Sequence, residues 1–202
     1  YDAFDTADKY RVPVMILGDG MLGQIMEPVE LPEMKDLSSL PKKDWATDGT
    51  GKDDHRRIIN SLLINPDDLE AHNNYMTTVY EEIAKNETKF EEYLTDDAEI
   101  VLTAYGTVAR IAKSAVNILR EQGKKVGLIR PITLFPFPEK AYKRLAEQDS
   151  VKKFVCIELS VGQMIEDVKL SVEGKKPVEF YGRNGGNVMS PEDIVAFVNK
   201  EA

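Results

Sequence analysis

Cysteine is almost absent from the sequence, since Cys156 is the only one among 202 residues. A single thiol excludes a disulfide within the chain and an iron–sulfur centre held entirely by the chain's own cysteines. Because Cys156 lies in the apolar run Phe154–Ile157, we expect an inert core thiol rather than a nucleophile. The absence of a disulfide framework favours a reducing compartment, and we expect a cytoplasmic location.

Long apolar runs and an excess of positive charge are also missing. Apolar stretches such as Val14–Leu17 are far shorter than the roughly 20 residues that a membrane-spanning helix requires. The formal net charge of −9 disfavours binding to nucleic acid and to anionic lipid. We therefore expect no nucleic-acid partner and no membrane partner, while the 42% apolar content is enough to bury at least one core.

The sequence contains none of the common catalytic motifs that we considered. It has no Gly-x-Ser-x-Gly elbow, no phosphate-binding loop and no paired carboxylate with a histidine. The two histidines, His55 and His72, have no cysteines or carboxylates at metal-ligand spacing nearby. We expect no metal site and no catalytic residue in this chain.

The first third of the chain changes character twice. Tyr1–Tyr10 has helical spacing, as if the chain began within an existing helix, and the apolar run Val12–Leu17 predicts a short buried strand. Prolines interrupt residues 27–65, which predicts a linker arm. Asn65 and Pro66 then form a favourable helix start.

A long amphipathic helix is predicted after Pro66. Its apolar stripe runs through Val79 and Ile83, and we expect Phe90 and Tyr93 to continue the stripe toward Thr95. Such a helix needs an apolar surface to pack against.

From Asp96 the pattern alternates between strands and helices. The strands are predicted at residues 99–104, 126–129, 151–157 and 178–181. The intervening helices end with one that begins at Pro191 and is capped by Ser190. Four strand–helix units indicate an α/β fold with a mostly parallel sheet and helices on both faces.

Three glycine-containing loops are candidate sites, and each has an ordinary structural alternative. The turn at Gly18–Gly23 either admits a ligand to the backbone or is a tight turn, and it lacks the third glycine of a dinucleotide fingerprint. Tyr105–Thr107 either holds an anion or connects a strand to a helix. Arg183, in the loop Tyr181–Gly186, either binds an acidic partner or a phosphate, or is solvated.

Several segments together resemble one family. They are Tyr10–Gln24, Asp97–Val101 leading to Tyr105–Gly106, Gly127–Pro131 with Pro136–Phe137, and Tyr181–Arg183 before Ser190–Pro191. In this order along the chain they resemble the alpha subunits of 2-oxoacid:ferredoxin oxidoreductases. Their residues are most similar to the 2-oxoisovalerate (3-methyl-2-oxobutanoate) or 2-oxoglutarate type. The resemblance covers essentially the whole chain and implies a carboxyl-terminal piece of such a subunit.

The resemblance implies three parts. Residues 1–26 would be the last piece of the domain that binds the pyrimidine half of thiamine diphosphate, residues 27–95 a linker arm with a long helix, and residues 96–202 a transketolase carboxyl-terminal-like domain. Thiamine diphosphate, magnesium and iron–sulfur clusters would belong to the full complex, with none bound to this piece. The implied partners are the beta and the gamma or delta subunits, ferredoxin and coenzyme A, in an oligomer.

The resemblance also suggests roles for the loops. Asp19, Gly20, Met21 and Leu22 would edge the substrate pocket, where an apolar Met–Leu pair suits a branched side chain better than a second carboxylate. Tyr105, Gly106 and Arg183 would form an interface or an anion-binding loop. Two other interpretations stay open: the beta subunit of a 2-oxoacid dehydrogenase, and a subunit-interaction module without catalysis.

Overall fold

A computed structural model describes residues 1–47, 49 and 56–200. The chain divides into two compact units. Unit 1 contains Tyr1–Leu17 and Met26–Glu82, and unit 2 contains Gly18–Ile25 and Ile83–Ala202. The loop Gly18–Ile25 is therefore grouped with the carboxyl-terminal half of the chain, although it lies near the amino terminus of the sequence.

Unit 1 is mainly helix and irregular chain. Helix α1 spans Asp2–Tyr10 and ends at Arg11, whose backbone is left-handed with φ 52°. Helix α2 spans Pro66–Asn86, so that its last turn extends into unit 2. The Asp67 amide donates to Asn65 Oδ1 at 3.0 Å, which confirms Asn65 as the helix cap. Between the two helices, the described residues contain one short 3-10 turn at Leu37–Ser39.

The buried strand predicted at Val12–Leu17 is not formed. This segment is irregular, and Met15 and Ile16 are 80% and 77% exposed. A strand needs a neighbour for its backbone N–H and C=O groups. No strand of the described residues pairs with this segment. The apolar pattern identifies residues suited to burial, but it does not say whether another strand lies beside them. The prediction was wrong for that reason.

Unit 2 is built on a five-stranded sheet. Its strands are β1 Phe90–Tyr93, β2 Ile100–Thr103, β3 Val126–Pro131, β4 Lys153–Glu158 and β5 Val178–Gly182. They lie in the order β1-β3-β2-β4-β5, and only β1 is antiparallel to its neighbour. The mostly parallel sheet confirms the fold class expected from the sequence.

Strand β1 was missed because its residues had been assigned to the preceding helix. Helix α2 ends at Asn86, and the chain then forms the edge strand β1 by pairing with β3, where Glu91 lies opposite Arg130. Gly127 of β3 makes this close approach possible, since a Cβ atom there would lie 2.5 Å from the Leu94 carbonyl oxygen. Edge pairing of this kind has no signature in helical spacing.

Helices cover both faces of the sheet, as predicted. They are α3 Gly106–Glu121, α4 Glu139–Glu147, α5 Met164–Val172 and α6 Pro191–Lys200. Helices α3 and α6 contribute to one buried apolar cluster, and α4 and α5 contribute to the other. None of the helices in the described ranges is both long and apolar enough to span a bilayer.

Candidate functional site

The carboxyl ends of the parallel strands form the candidate site. Strands β2, β4 and β5 run in the same direction, so that the residues following them lie at one edge of the sheet. Strands β2 and β4 are neighbours, and the chain continues from β2 to β3 on one side and from β4 to β5 on the other. Such a switch point opens a crevice in which α/β proteins commonly bind ligands.

The loop at Asp19 lies against the start of α3. The Leu22 amide donates to Asp19 Oδ1 at 2.7 Å, and the Gly23 amide donates to the Asp19 carbonyl oxygen at 3.2 Å. A Cβ atom at Gly106 would lie 3.6 Å from Asp19 Oδ2. The structure thus brings together two of the predicted site segments, which are more than 80 residues apart in the sequence.

Asp19 supplies negative charge at the amino terminus of α3. The Leu22 amide, followed by the Thr107 side chain, holds the pKa of Asp19 below its usual value. Tyr105, in the cap position of α3, makes no side-chain capping bond. Because a helix amino terminus carries partial positive charge, a carboxylate beside it is stabilising. The part played by Thr107 was not anticipated from the sequence.

Tyr105 is half-buried and faces the end of β4. Burial, and then the negative charge of Glu158, raises the pKa of the Tyr105 hydroxyl. Gly106 adopts a left-handed backbone with φ 57°, which a glycine tolerates without strain. The strand–helix turn that we weighed as an alternative for this segment is present, and it borders the crevice.

Glu158 is a buried carboxylate whose role the sequence did not reveal. Glu158 is only 1% exposed, and its side-chain carboxylate accepts hydrogen bonds from the Met164 and Ile165 amides at 3.1 and 3.0 Å. The Gln163 amide and the Ser160 hydroxyl also donate to it. Glu158 therefore caps α5 from the end of β4, whereas an acid at a strand end is more often solvated.

Cys156 is buried within β4, as expected. Burial, and then the neighbouring Glu158, raises the pKa of the Cys156 thiol. A thiol that stays protonated is a poor nucleophile. Cys156 is therefore part of the core and is not a reactive group.

Arg183 lies at the same edge of the sheet, beyond β5. Its amide donates to the Glu158 carbonyl oxygen at 3.1 Å. Its positive charge contributes to the lowered pKa of Asp193, which is due first to hydrogen bonds with Ser190.

Part of the Asp19 loop is open to solvent. Met21 is 42% exposed, and Leu22 is half-buried. A Cβ atom at Gly18 or Gly20 would meet no atom within 4 Å, and neither glycine has a left-handed backbone. Backbone strain and packing inside the described chain therefore do not explain either glycine.

Metal-binding groups are not assembled in the part of the chain that the structure describes. No set of three or more His, Cys, Asp or Glu side chains lies close enough to hold an ion there. His72 is exposed on α2, and His55 lies outside the described residues. The described side chains therefore form no ion site made of three or more of these residues, and no chemical step is derived through magnesium or an iron–sulfur cluster.

Comparison with known proteins agrees with this fold. Residues 98–194 match the family Pyruvate:ferredoxin oxidoreductase core domain II. The chain is 44% identical over 201 residues to ketoisovalerate oxidoreductase subunit VorB of Methanothermobacter marburgensis, covering 100% of this chain and 56% of that protein. It is 32% identical to 2-oxoglutarate synthase subunit KorA of Methanocaldococcus jannaschii, covering 95% of this chain and 57% of that protein.

The first of these relatives is named as an oxidoreductase subunit and the second as a synthase subunit, and the chain spans just over half of their length. Among solved structures, the fold is similar to 2-oxoglutarate:ferredoxin oxidoreductase from Magnetococcus marinus, whose structure contains 2-oxoglutarate, coenzyme A and succinyl-CoA. The TM-score is 0.60 at 18% identity, over 75% of this chain and 27% of that chain. At this identity the likeness concerns the fold.

Proposed function

We propose that this chain is part of the alpha subunit of a thiamine-diphosphate-dependent 2-oxoacid:ferredoxin oxidoreductase acting on 2-oxoisovalerate. Identity supports the branched substrate, because the VorB relatives are 44% and 42% identical and the KorA relatives 27–32%. In this proposal the chain shapes the substrate pocket and assembles with other subunits in the cytoplasm. Other parts of the complex hold thiamine diphosphate, magnesium and the iron–sulfur clusters, and bind ferredoxin and coenzyme A.

The observation that carries the proposal is the position of the Asp19 loop at the sheet edge. Its hydrogen bonds fix the backbone, while the empty space at Gly18 and Gly20 lets an external group approach closely. A ligand or another subunit would explain two glycines that the chain itself does not require. We infer that Asp19, Gly20, Met21 and Leu22 edge the substrate pocket, with Tyr105 and Gly106 behind them and Arg183 at the neighbouring strand end.

The side chains of this loop suit a branched 2-oxoacid. Met21 and Leu22 offer an apolar surface, and the negative charge of Asp19 disfavours a second carboxylate on the substrate. Replacing Leu22→Arg in the reconstituted complex should shift the ratio of kcat/KM for 2-oxoisovalerate and 2-oxoglutarate by about tenfold toward 2-oxoglutarate. The readout is the reduction of a low-potential dye that depends on the 2-oxoacid.

A matched control makes the same leucine-to-arginine substitution on another element. Leu170 is exposed on α5, and Leu170→Arg should leave the ratio unchanged. An unchanged ratio in Leu22→Arg removes the pocket assignment. If the full subunit that contains this chain restores no activity with the other subunits, the chain is an assembly module or belongs to another enzyme, and the proposed function fails.

A further inference from the structure

A concave basic surface lies beside α3 in unit 2 and shares no residue with the site at the sheet edge. We call it the α3 groove; its polar rim is formed by Arg110, Lys113 and Asn117 of α3, Glu91 of β1 and Arg130 of β3. Its volume is about 410 Å³. Small-molecule sites typically enclose about 300–1,000 Å³, so the groove is large enough for a small organic ligand.

The charge of the α3 groove is opposite to that of the chain. It contains three cationic side chains and one carboxylate, Glu91, whereas the chain has a formal charge of −9. A local positive concavity on an acidic protein attracts anions selectively. The groove therefore favours an anionic ligand.

Glu91 pairs with two of the three cations. Its Oε1 lies 2.9 Å from Lys113 Nζ, and its Oε2 lies 3.1 Å from Arg130 NH1. Arg130 uses one nitrogen for this contact, and a guanidinium has five N–H donors in a fixed plane. One carboxylate thus holds both cations, and N–H donors remain for a ligand. Arg130 offers the forked geometry that phosphate groups accept.

The remaining lining suits the uncharged part of a phosphate ester. Ala109 and Leu128 are buried and give the groove an apolar floor. Asn117 Oδ1 accepts a hydrogen bond from the Tyr93 hydroxyl at 2.8 Å, so that its NH2 group remains a donor. An apolar floor with a few fixed polar groups is typical of a ligand site.

We propose that the α3 groove binds a phosphate-bearing small molecule, with Lys113 and Arg130 contacting the phosphate oxygens and Glu91 holding both cations in place. The proposal does not depend on the reaction of the full enzyme. It can be tested by titration calorimetry on the 202-residue chain at low ionic strength, with inorganic pyrophosphate and ADP as separate probes.

Two variants test the proposal. Lys113→Gln combined with Arg130→Gln should weaken binding of pyrophosphate about tenfold or more, because two charge-assisted contacts are lost. Glu91→Gln should weaken binding about threefold, because Lys113 and Arg130 lose the carboxylate that holds them in place. Simple charge attraction predicts the opposite, since Glu91→Gln removes a negative charge beside the ligand. A control variant, Lys143→Gln, removes an exposed lysine that pairs with Glu173 on other elements and should have no effect.

The outcomes separate the proposal from simple charge attraction. If ADP binds more tightly than pyrophosphate, the uncharged part of ADP contacts the apolar floor. If both bind equally, the groove recognises the phosphates alone. The proposal is overturned if neither probe binds at about 10 mM, a concentration well above the dissociation constants of weak specific sites. It is also overturned if Lys143→Gln weakens binding as much as the double variant, or if Glu91→Gln strengthens binding. Glu91→Gln keeps the test valid even if the double variant fails to fold.

Discussion

At the scale of single residues, Glu158 shows how a tertiary contact fixes the role of a charged side chain. The carboxylate ends β4, and the helix whose amides it binds begins six residues later. Burial of an unpaired charge is costly, but several backbone N–H donors and the positive helix end compensate for that cost here. Glu158 therefore connects β4 to α5.

We predict that Glu158→Gln destabilises unit 2 by about 2–3 kcal/mol, because amide bonds to a charged acceptor become bonds to a neutral one. The midpoint of urea denaturation, followed by circular dichroism, measures the change. Glu166→Gln is the matched control, since Glu166 is an exposed acid in the first turn of the same helix and should shift the midpoint little. Equal midpoints for Glu158→Gln and the unmodified chain would contradict the capping role.

At the scale of elements, α6 illustrates a helix start that the sequence predicts in full. The Asp193 amide donates to Ser190 Oγ at 3.2 Å, and the Ser190 amide donates to Asp193 Oδ2 at 2.9 Å. Both partners lie within four residues, so that the pattern Ser-Pro-x-Asp contains the whole interaction. The prediction of Ser190 as the cap is confirmed for this reason.

This cap makes stability depend on pH in a defined direction. The Ser190 amide holds the pKa of Asp193 below its usual value, so the folded chain binds fewer protons than the unfolded chain over this range. The stabilisation is complete above the unfolded pKa of about 3.9 and is lost as the pH falls through the lower folded pKa. Asp193→Asn should therefore be less stable than the unmodified chain at pH 7, and the difference should be smaller at about pH 3.

Denaturation midpoints at both pH values measure this difference. Glu192→Gln changes the neighbouring exposed acid in the same turn and should show no comparable pH dependence. If the difference in midpoint between Asp193→Asn and the unmodified chain is the same at both pH values, the carboxylate is not its cause.

At the scale of the whole molecule, regular and irregular chain are unevenly distributed. Unit 2 contains the sheet and both apolar clusters, whereas the described residues from 12 to 64 contain only a 3-10 turn. Exposed irregular backbone is where proteases cleave native proteins first. The two units should therefore differ in their resistance to proteolysis.

We predict that trypsin cleaves after Lys42 and Arg56, both exposed in irregular chain, at least about tenfold faster than after Arg120 in α3 or Arg130 in β3. Mass spectrometry of a time course identifies the order of cleavage. In urea the four sites should be cut at similar rates, which controls for local sequence. Cleavage within α3 or β3 at the same rate as at Lys42 under native conditions would show that unit 2 is not the more stable part.

How much could be predicted from the sequence varies with the range of the interactions. The four parallel strands and their helices were found because periodicity and turn residues are local signals. Strand β1 was missed, and Val12–Leu17 was wrongly assigned as a strand, because pairing depends on a distant neighbour. The domain identities proposed for residues 1–26, 27–95 and 96–202 stay predictions.

The candidate site shows the same division. The sequence marked the loops at Asp19, Tyr105 and Arg183 by their glycines and charges, since those properties are visible residue by residue. Only the fold placed Asp19 against Gly106 and joined Lys113 and Arg130 through Glu91. The sequence by itself determined the helices, most strands and the fold class, because capping, hydrophobic spacing and turn chemistry act over a few residues. The tertiary structure decided strand order, burial of Glu158 and the grouping of charges, because these depend on packing between segments far apart in the chain.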